Sequence, residues 1–210
     1  MLLSDEAAAH AFVAARCTPA SLERLARFVL SLAEANRHQN LVSAATLERV
    51  WQRHIADSAQ LLDHVPRETS PWIDFGSGAG LPGLVIAIMR PQLETILIES
   101  RRLRIEWLSA TIDRLDLTNC RVLGSDARAA PVQSAGIISA RAFAPLPRLV
   151  ALSARFSTNE TQWVLPKGRS AAQEVAELPE HLRRMFHVEP SVTDAEAGII
   201  VGRGRIEVPK

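Results

Sequence analysis

The sequence has no tyrosine, two cysteines and two lysines, and nowhere does it run apolar for long. Each shortage removes a class of answer. With aromatics at 5% of the chain, and Trp51, Trp72, Trp107 and Trp163 each set in an apolar pattern that marks them as core, a sheet that stacks bases on exposed rings is not expected. Cys17 and Cys120 stand far apart with no metal-ligand spacing around either, so free buried thiols are expected and no metal site. The aliphatic run Leu84 to Met89 falls far short of the ~20 apolar residues a membrane span needs. The start, MLLSDEAAAH, carries no basic-then-apolar leader, so a cytoplasmic protein without a membrane partner is expected.

Charge of one sign is also scarce. The net charge is +1, spread unevenly, with 12 basic and 8 acidic side chains in residues 71–170 between two slightly acidic flanks. A mildly positive middle fits a polyanion near the site, but a protein that grips naked nucleic acid by charge alone would be far more basic. No DNA partner is expected. Among 24 basic residues only Lys167 and Lys210 are lysine, which directs attention to any task that arginine's fork performs badly.

What is present falls into two textures. Residues 1–66 read as a helical cap. Pro19 suits the first turn of a helix whose Leu22, Leu25, Val29 and Leu32 form one stripe, and Thr46 is placed to cap a third helix carrying Leu47, Val50, Trp51, Ile55, Ala59 and Leu62. From Trp72 onward, short β runs alternate with helices: Trp72 and Ile73, Thr95 to Ile98, Cys120 to Leu123, Gly136 to Ser139, and Gln162 to Leu165. Such alternation predicts an α/β domain over 67–210 with a parallel sheet covered on both faces. RRMFHVEP and GIIVGRGRI, with no convincing helix between them, predict a closing antiparallel pair. At 210 residues, cap and sheet suit one compact unit.

The sharpest local signal is DFGSGAGLPG, Asp74 to Gly83, where a strand hands over to a helix through a glycine turn. A dinucleotide fingerprint wants G-x-G-x-x-G; here Gly76 and Gly78 match, Leu81 fills the third slot, and the spacing is G-x-G-x-G. Glu99, at the end of the next strand, is placed to accept hydrogen bonds from a ribose diol. Asp74 would suit the cationic amino-acid end of S-adenosylmethionine and repel a pyrophosphate. A nicotinamide dehydrogenase is therefore the remotest reading.

DFGSGAGLPG, LIES followed by a basic helix, ISARAFAPL and LPKG, in this order and preceded by NRHQNLVSA and RHIADS, together resemble the small-subunit rRNA guanine-N7 methyltransferases, also called glucose-inhibited division protein B. The resemblance covers most of residues 36–169. It implies a Rossmann-like class I methyltransferase sheet of seven strands with an N-terminal helical cap, S-adenosylmethionine as cofactor, and as partner 16S rRNA within the small ribosomal subunit or its precursor. The acceptor it implies is N7 of a guanine in the decoding-region hairpin, guanine 527. By motif, Gly76 and Leu81 would border the cofactor and Arg141 would face it from beyond the fourth strand. The family's adenine-side pair falls on Ala127 and Arg128, where the usual acid is missing. Either Arg128 contributes through its backbone, or Asp126 supplies the acceptor.

Guanine N7 offers an in-plane lone pair and carries no proton, so no general base is expected. A cation beside N7 would oppose the positive charge that arrives there. Arg141, Lys167 and Arg169 should therefore touch O6, phosphates or the cofactor carboxylate. Arg53 with Asp57, and His54 with Ser58, stand four residues apart, a spacing that alone signals helix stabilisation; the resemblance instead places His54, Asp57 and Ser58 on the pocket roof. Arg101, Arg102 and Arg104 open a helix where basic residues oppose the dipole, which suits RNA phosphates; for Arg101 the alternatives are a pair with Glu99 or a solvated side chain. Other readings are a methyltransferase of another acceptor and a non-catalytic RNA-binding or assembly factor, the latter distinguished by failure to bind cofactor.

Overall fold

The change of texture near Pro71 is also a change of architecture. The computed structural model describes residues 2–207, so Lys210 lies outside the described residues. The cap comprises α1 (Glu6–Ala14), α2 (Pro19–Asn36), the single turn α3 (Ala44–Leu47), a π-helical segment (Trp51–Ala56), α4 (Asp57–Ala59) and a 3-10 turn (Gln60–His64). Helix α2 begins where predicted because Thr18 accepts the Ser21 backbone N–H at 3.1 Å and Pro19 has no N–H to leave unpaired. Its stripe buries Leu25, Phe28 and Leu32, with Leu22 and Val29 at the margin.

One regular third helix capped by Thr46 does not form. Ser43 precedes α3, while Thr46 lies inside it and turns its hydroxyl to His54 Nε2 at 2.8 Å. The chain then widens into the π-helical segment, whose extra residue per turn takes the four-residue ladder out of phase. Arg53 accordingly pairs with Asp194, not with Asp57. The Trp51 and Gln52 N–H groups that open the segment are taken by the Glu6 carboxylate at 2.9 and 2.7 Å, so α1 caps it from outside.

All the expected strands form: β1 (Trp72–Phe75), β2 (Thr95–Glu99), β3 (Cys120–Gly124), β4 (Ile137–Ser139), β5 (Gln162–Lys167), β6 (Phe186–Pro190) and β7 (Gly198–Arg203). They make one seven-stranded sheet in the order β3-β2-β1-β4-β5-β7-β6, parallel except at β7, which is antiparallel to both β5 and β6. Among the described residues, five α-helices and a 3-10 turn (Ala154–Phe156) complete this part: α5 (Gly83–Met89), α6 (Arg102–Arg114), α7 (Leu146–Ser153), α8 (Ala171–Ala176) and α9 (Glu180–Arg183). The strand order reverses between β1 and β4, which opens a crevice beyond their carboxyl ends.

Alternation along the strands sorts the core. Trp72, Leu97, Ile137, Val164 and Ile199 face a cluster shared with the cap, α5 and α6, whereas Ile73, Phe75, Ile98, Ile138 and Trp163 face a second cluster with α7 and α8. Trp72, Trp107 and Trp163 are buried, and Trp51, half-buried, packs edge-on against His10. Cys17 and Cys120 are free, the second of them buried.

Gly83, at the start of α5, takes over the close-packing task that the third glycine has in a dinucleotide turn: a Cβ there would stand 2.3 Å from Leu97 Cδ2 and 2.9 Å from Asp74 Oδ2. Gly83→Ala should therefore destabilise the fold by about 1–3 kcal/mol, against the gain alanine usually brings inside a helix. A urea midpoint at or above that of the wild type would contradict this packing.

Candidate active site

Two cavities open side by side at the carboxyl edge of the sheet. The first, about 310 Å³, is lined by Gly76, Glu99, Asp126, Ala127 and Arg128, among others. Gly76 holds φ at +65° and lies directly beneath Phe143, whose Cδ2 would be 2.2 Å from any Cβ at that position. Glu99 is 3% exposed; one oxygen accepts from the Gly78 N–H at 3.0 Å, the other from the N–H groups of Ser100 and Arg101, each at 2.9 Å. Burial by itself raises a carboxyl pKa, but the hydrogen bonds and charge of Arg101, with the Gly78 N–H, outweigh it and hold Glu99 below the usual range. Of the two partners open to Arg101, the structure uses Glu99. Across the cleft, Asp126 accepts the Arg128 N–H at 2.9 Å and pairs with its guanidinium at 3.0 Å.

Three residues expected at the cofactor, Gly78, Leu81 and Asp74, do not line either cavity; the Gly78 N–H is turned to Glu99. Leu81 is 3% exposed and belongs to the cap-side core; the apolar packing of the turn draws it inward. Asp74 is fully buried on the same face as Trp72, accepts the Ser139 hydroxyl at 2.7 Å and the Gly83 N–H at 3.3 Å, and so braces β1 against β4 and α5. Ser139 in turn accepts the Trp72 indole N–H at 2.7 Å. Burial pushes the Asp74 pKa up to about 6, against the hydrogen bonds from Ser139, Ser77 and Gly83.

The second cavity lies between the cap and the carboxyl ends of β4 and β5, and Arg53, His54, Asp57, Arg141 and Lys167 all line it. Arg141 donates to Asp57 Oδ2 at 3.3 Å, to the Arg53 carbonyl at 3.3 Å and to His54 Nδ1 at 3.2 Å. A guanidinium has no acceptor, so His54 Nδ1 must be the unprotonated nitrogen and Nε2–H donates to Thr46. Burial, then the charges of Arg141 and Arg53, lower the His54 pKa to about 3, leaving a neutral imidazole that orients Arg141. Asp57 Oδ1 accepts from Thr193 at 2.9 Å and from Gln60 at 3.0 Å.

Lys167 reaches Glu174 at 2.7 Å and the Ala144 carbonyl at 2.8 Å; the same Glu174 oxygen accepts the Leu146 N–H. Burial raises and these bonds lower the Glu174 pKa, with the net effect downward. Glu174 was not apparent from the sequence, where its place on a short helix gives no signal. Ser58 and Arg169 stay outside the cluster. Ser58 is buried and donates to the His54 carbonyl at 2.7 Å, as a helical serine does to the preceding turn; Arg169 is exposed and pairs with Glu196. Arg102 pairs with Glu106 at 3.1 Å, and Arg104 ties α6 to Gln39 of the cap at 2.9 Å.

The family model described as GidB, rRNA small subunit methyltransferase G, matches residues 21–198. A protein of Erythrobacter litoralis called ribosomal RNA small subunit methyltransferase G is 56% identical over 204 residues, covering 97% of this chain and 99% of that protein. One of the same name from Sphingopyxis alaskensis is 51% identical over 214 residues, covering 100% and 91%. Among solved structures, a SAM-dependent methyltransferase from Aquifex aeolicus superimposes with a TM-score of 0.59 at 14% identity, covering 80% of this chain and 96% of that one, a likeness of fold.

The buried carboxyl beneath the turn sets a pH dependence. The folded protein holds a proton on Asp74 up to about pH 6, whereas an ordinary aspartic acid releases it near 3.8; over that interval the native state binds more protons, and stability from this group falls as pH rises. The loss is on the order of 3 kcal/mol. Asp74→Asn should thus gain on the wild type between about pH 4 and pH 6, read as the difference in urea midpoints. A difference that is flat or of opposite slope would count against a protonated Asp74.

Proposed function

The chain belongs to the rRNA small subunit methyltransferase G family and takes S-adenosylmethionine as its cofactor; from that premise we propose that it methylates N7 of a guanine in 16S rRNA, within the assembled or nearly assembled small subunit. The first cavity fits the cofactor. Gly76 leaves space for the Phe143 ring that walls the cavity, Glu99 is an anionic acceptor suited to a ribose diol, and Ala127 leaves room beside it. An adenine amino group needs an acceptor, which Asp126 has and the Arg128 guanidinium lacks. When bound, S-adenosylmethionine supplies a methyl carbon on a sulfonium, so that its transfer leaves a neutral thioether and a positively charged base.

The charge of the second cavity is the observation that carries the proposal for N7. Its three cations are each paired with a carboxylate: Arg53 with Asp194, Arg141 with Asp57, and Lys167 with Glu174. His54 is neutral there. Among the described lining residues the formal charges therefore cancel. An acceptor that must gain positive charge meets no unpaired cation, which is the electrostatic condition the reaction needs. The same pairs occupy the arginine and lysine that the sequence assigned to O6, phosphates or the cofactor carboxylate. What this chain contributes is alignment and exclusion of water, with His54 and Asp57 positioning Arg141.

Weak overall basicity supports a shaped ribosomal surface over free RNA. Incubation with methyl-labelled cofactor and small subunits from cells lacking the activity should place label on one guanine as 7-methylguanosine in the digested rRNA, with short naked hairpins poor by comparison. Label on another atom or another acceptor would defeat the N7 reading.

His54 provides a second check. Glutamine repeats both hydrogen bonds of the neutral imidazole, so His54→Gln should cost far less than the ~100-fold or more that loss of a general base brings. The pH profile of the rate between about pH 6 and pH 8 should keep its shape. A large loss with a vanished ionisation would make His54 a base after all.

A further inference from the structure

The two cavities share a wall, the loop that follows β4, and Phe143 is the one benzyl side chain among the described residues lining either of them. The loop is held in place from both ends. On one side Arg141 is bound to Asp57, His54 and the Arg53 carbonyl. On the other, Lys167 holds the Ala144 carbonyl and Glu174 holds the Leu146 N–H. Between these ties Ala142 sits at φ +50°, a left-handed conformation that an L side chain adopts only when its surroundings impose it. The result is a half-buried ring resting on Gly76, with Phe75 behind it at 6.5 Å between centroids.

We propose that Phe143 is the surface on which the target guanine lies during methyl transfer, a role that rests on the N7 reading above. A purine stacks on a phenyl ring without needing hydrogen bonds. The base becomes a cation once N7 carries the methyl group, and a cation over an aromatic face is attracted to its π electrons. The attraction therefore grows along the reaction, and only interactions that strengthen toward the transition state raise kcat. With the cations that line the second cavity paired, the ring supplies the face that acts on that new charge there. Its rigid mounting means that the alignment is present before the base arrives.

Fluorination of the ring tests this at nearly constant shape, because fluorine drains the π face. Phenylalanine analogues carrying one, two and three fluorines would be placed at position 143, and kcat, KM for small subunits and the calorimetric Kd for S-adenosylmethionine measured for each. We expect kcat to fall stepwise to about tenfold below wild type, with the cofactor Kd unchanged within about twofold. Phe143→Leu should lose a similar factor in kcat and Phe143→Trp should retain activity. A flat fluorine series, or a Phe143→Leu defect confined to cofactor affinity, would overturn the proposal and leave Phe143 a wall of the first cavity. If wild-type protein labels something other than guanine N7, the parent reading falls first and this one with it.

Discussion

The ion pair between Arg141 and Asp57 fixes the cap against the carboxyl edge of the sheet, and the site exists only in that register. The two residues are 84 positions apart, each side chain is 20% exposed, and neither is held by the other alone. Arg141 also donates to His54 and to the Arg53 carbonyl, while Asp57 also accepts from Thr193 and Gln60. A partly buried pair offsets its desolvation only when its remaining donors and acceptors are satisfied, and here the π-helical segment, the loop after β4 and the β6–β7 loop each supply a partner. The Asp57 carboxylate thereby joins the cap to the loop after β4 and to the β6–β7 loop. The Arg53 to Asp194 pair at 2.9 Å repeats the connection from the neighbouring position.

This geometry and the charge of the site have one origin. Unpaired cations around the second cavity would strengthen an encounter with RNA, yet they would oppose charge arriving on the acceptor. Intramolecular pairing removes that conflict and builds the walls with the same groups. Asp74 presents the opposite case, a carboxyl with no cation within hydrogen-bonding reach among the described residues, kept by Ser139 and the Gly83 N–H and pushed toward its neutral form by burial. Its place under the glycine turn makes it a brace for three elements. The first cavity is left to Gly76 and Glu99.

Local periodicity made much of this legible in the sequence. The strands, the closing antiparallel pair and the α2 stripe follow from patterns of two and of three to four residues, and the glycine turn with Glu99 located the first cavity. What was not legible depended on partners distant in sequence or on departures from ideal helix geometry. The four-residue pairing expected of Arg53 and Asp57 presumes an α-helix, and the π-helical segment cancels it. Thr46 looked like a helix cap because a threonine before an apolar stripe usually is one; its hydroxyl instead orients His54. Asp74 reads as ligand-facing because acids before glycine turns are polar, but strand alternation already placed it on the face of Trp72, toward the core. Glu174 and Phe143 had no local signature, since their importance comes from Lys167 and Gly76.

The many arginines follow the same logic. Arg101 bonds to Glu99, Arg102 to Glu106, Arg104 to the cap, and Arg155 to the carbonyls of Ala127 and Ala130 beside the first cavity. A planar fork that donates in several directions suits such cross-bracing better than an ammonium does. The described lysine is kept where a single point charge must meet one carboxylate oxygen and one carbonyl in a narrow space. With so many of the cations bound within the fold, a sequence of net charge +1 has little left for counterion release on RNA. On the proposed reading discrimination comes from shape, and reading a shape needs a rigid site. The clamped loop, the capped π-helical segment and the brace under the turn supply that rigidity together.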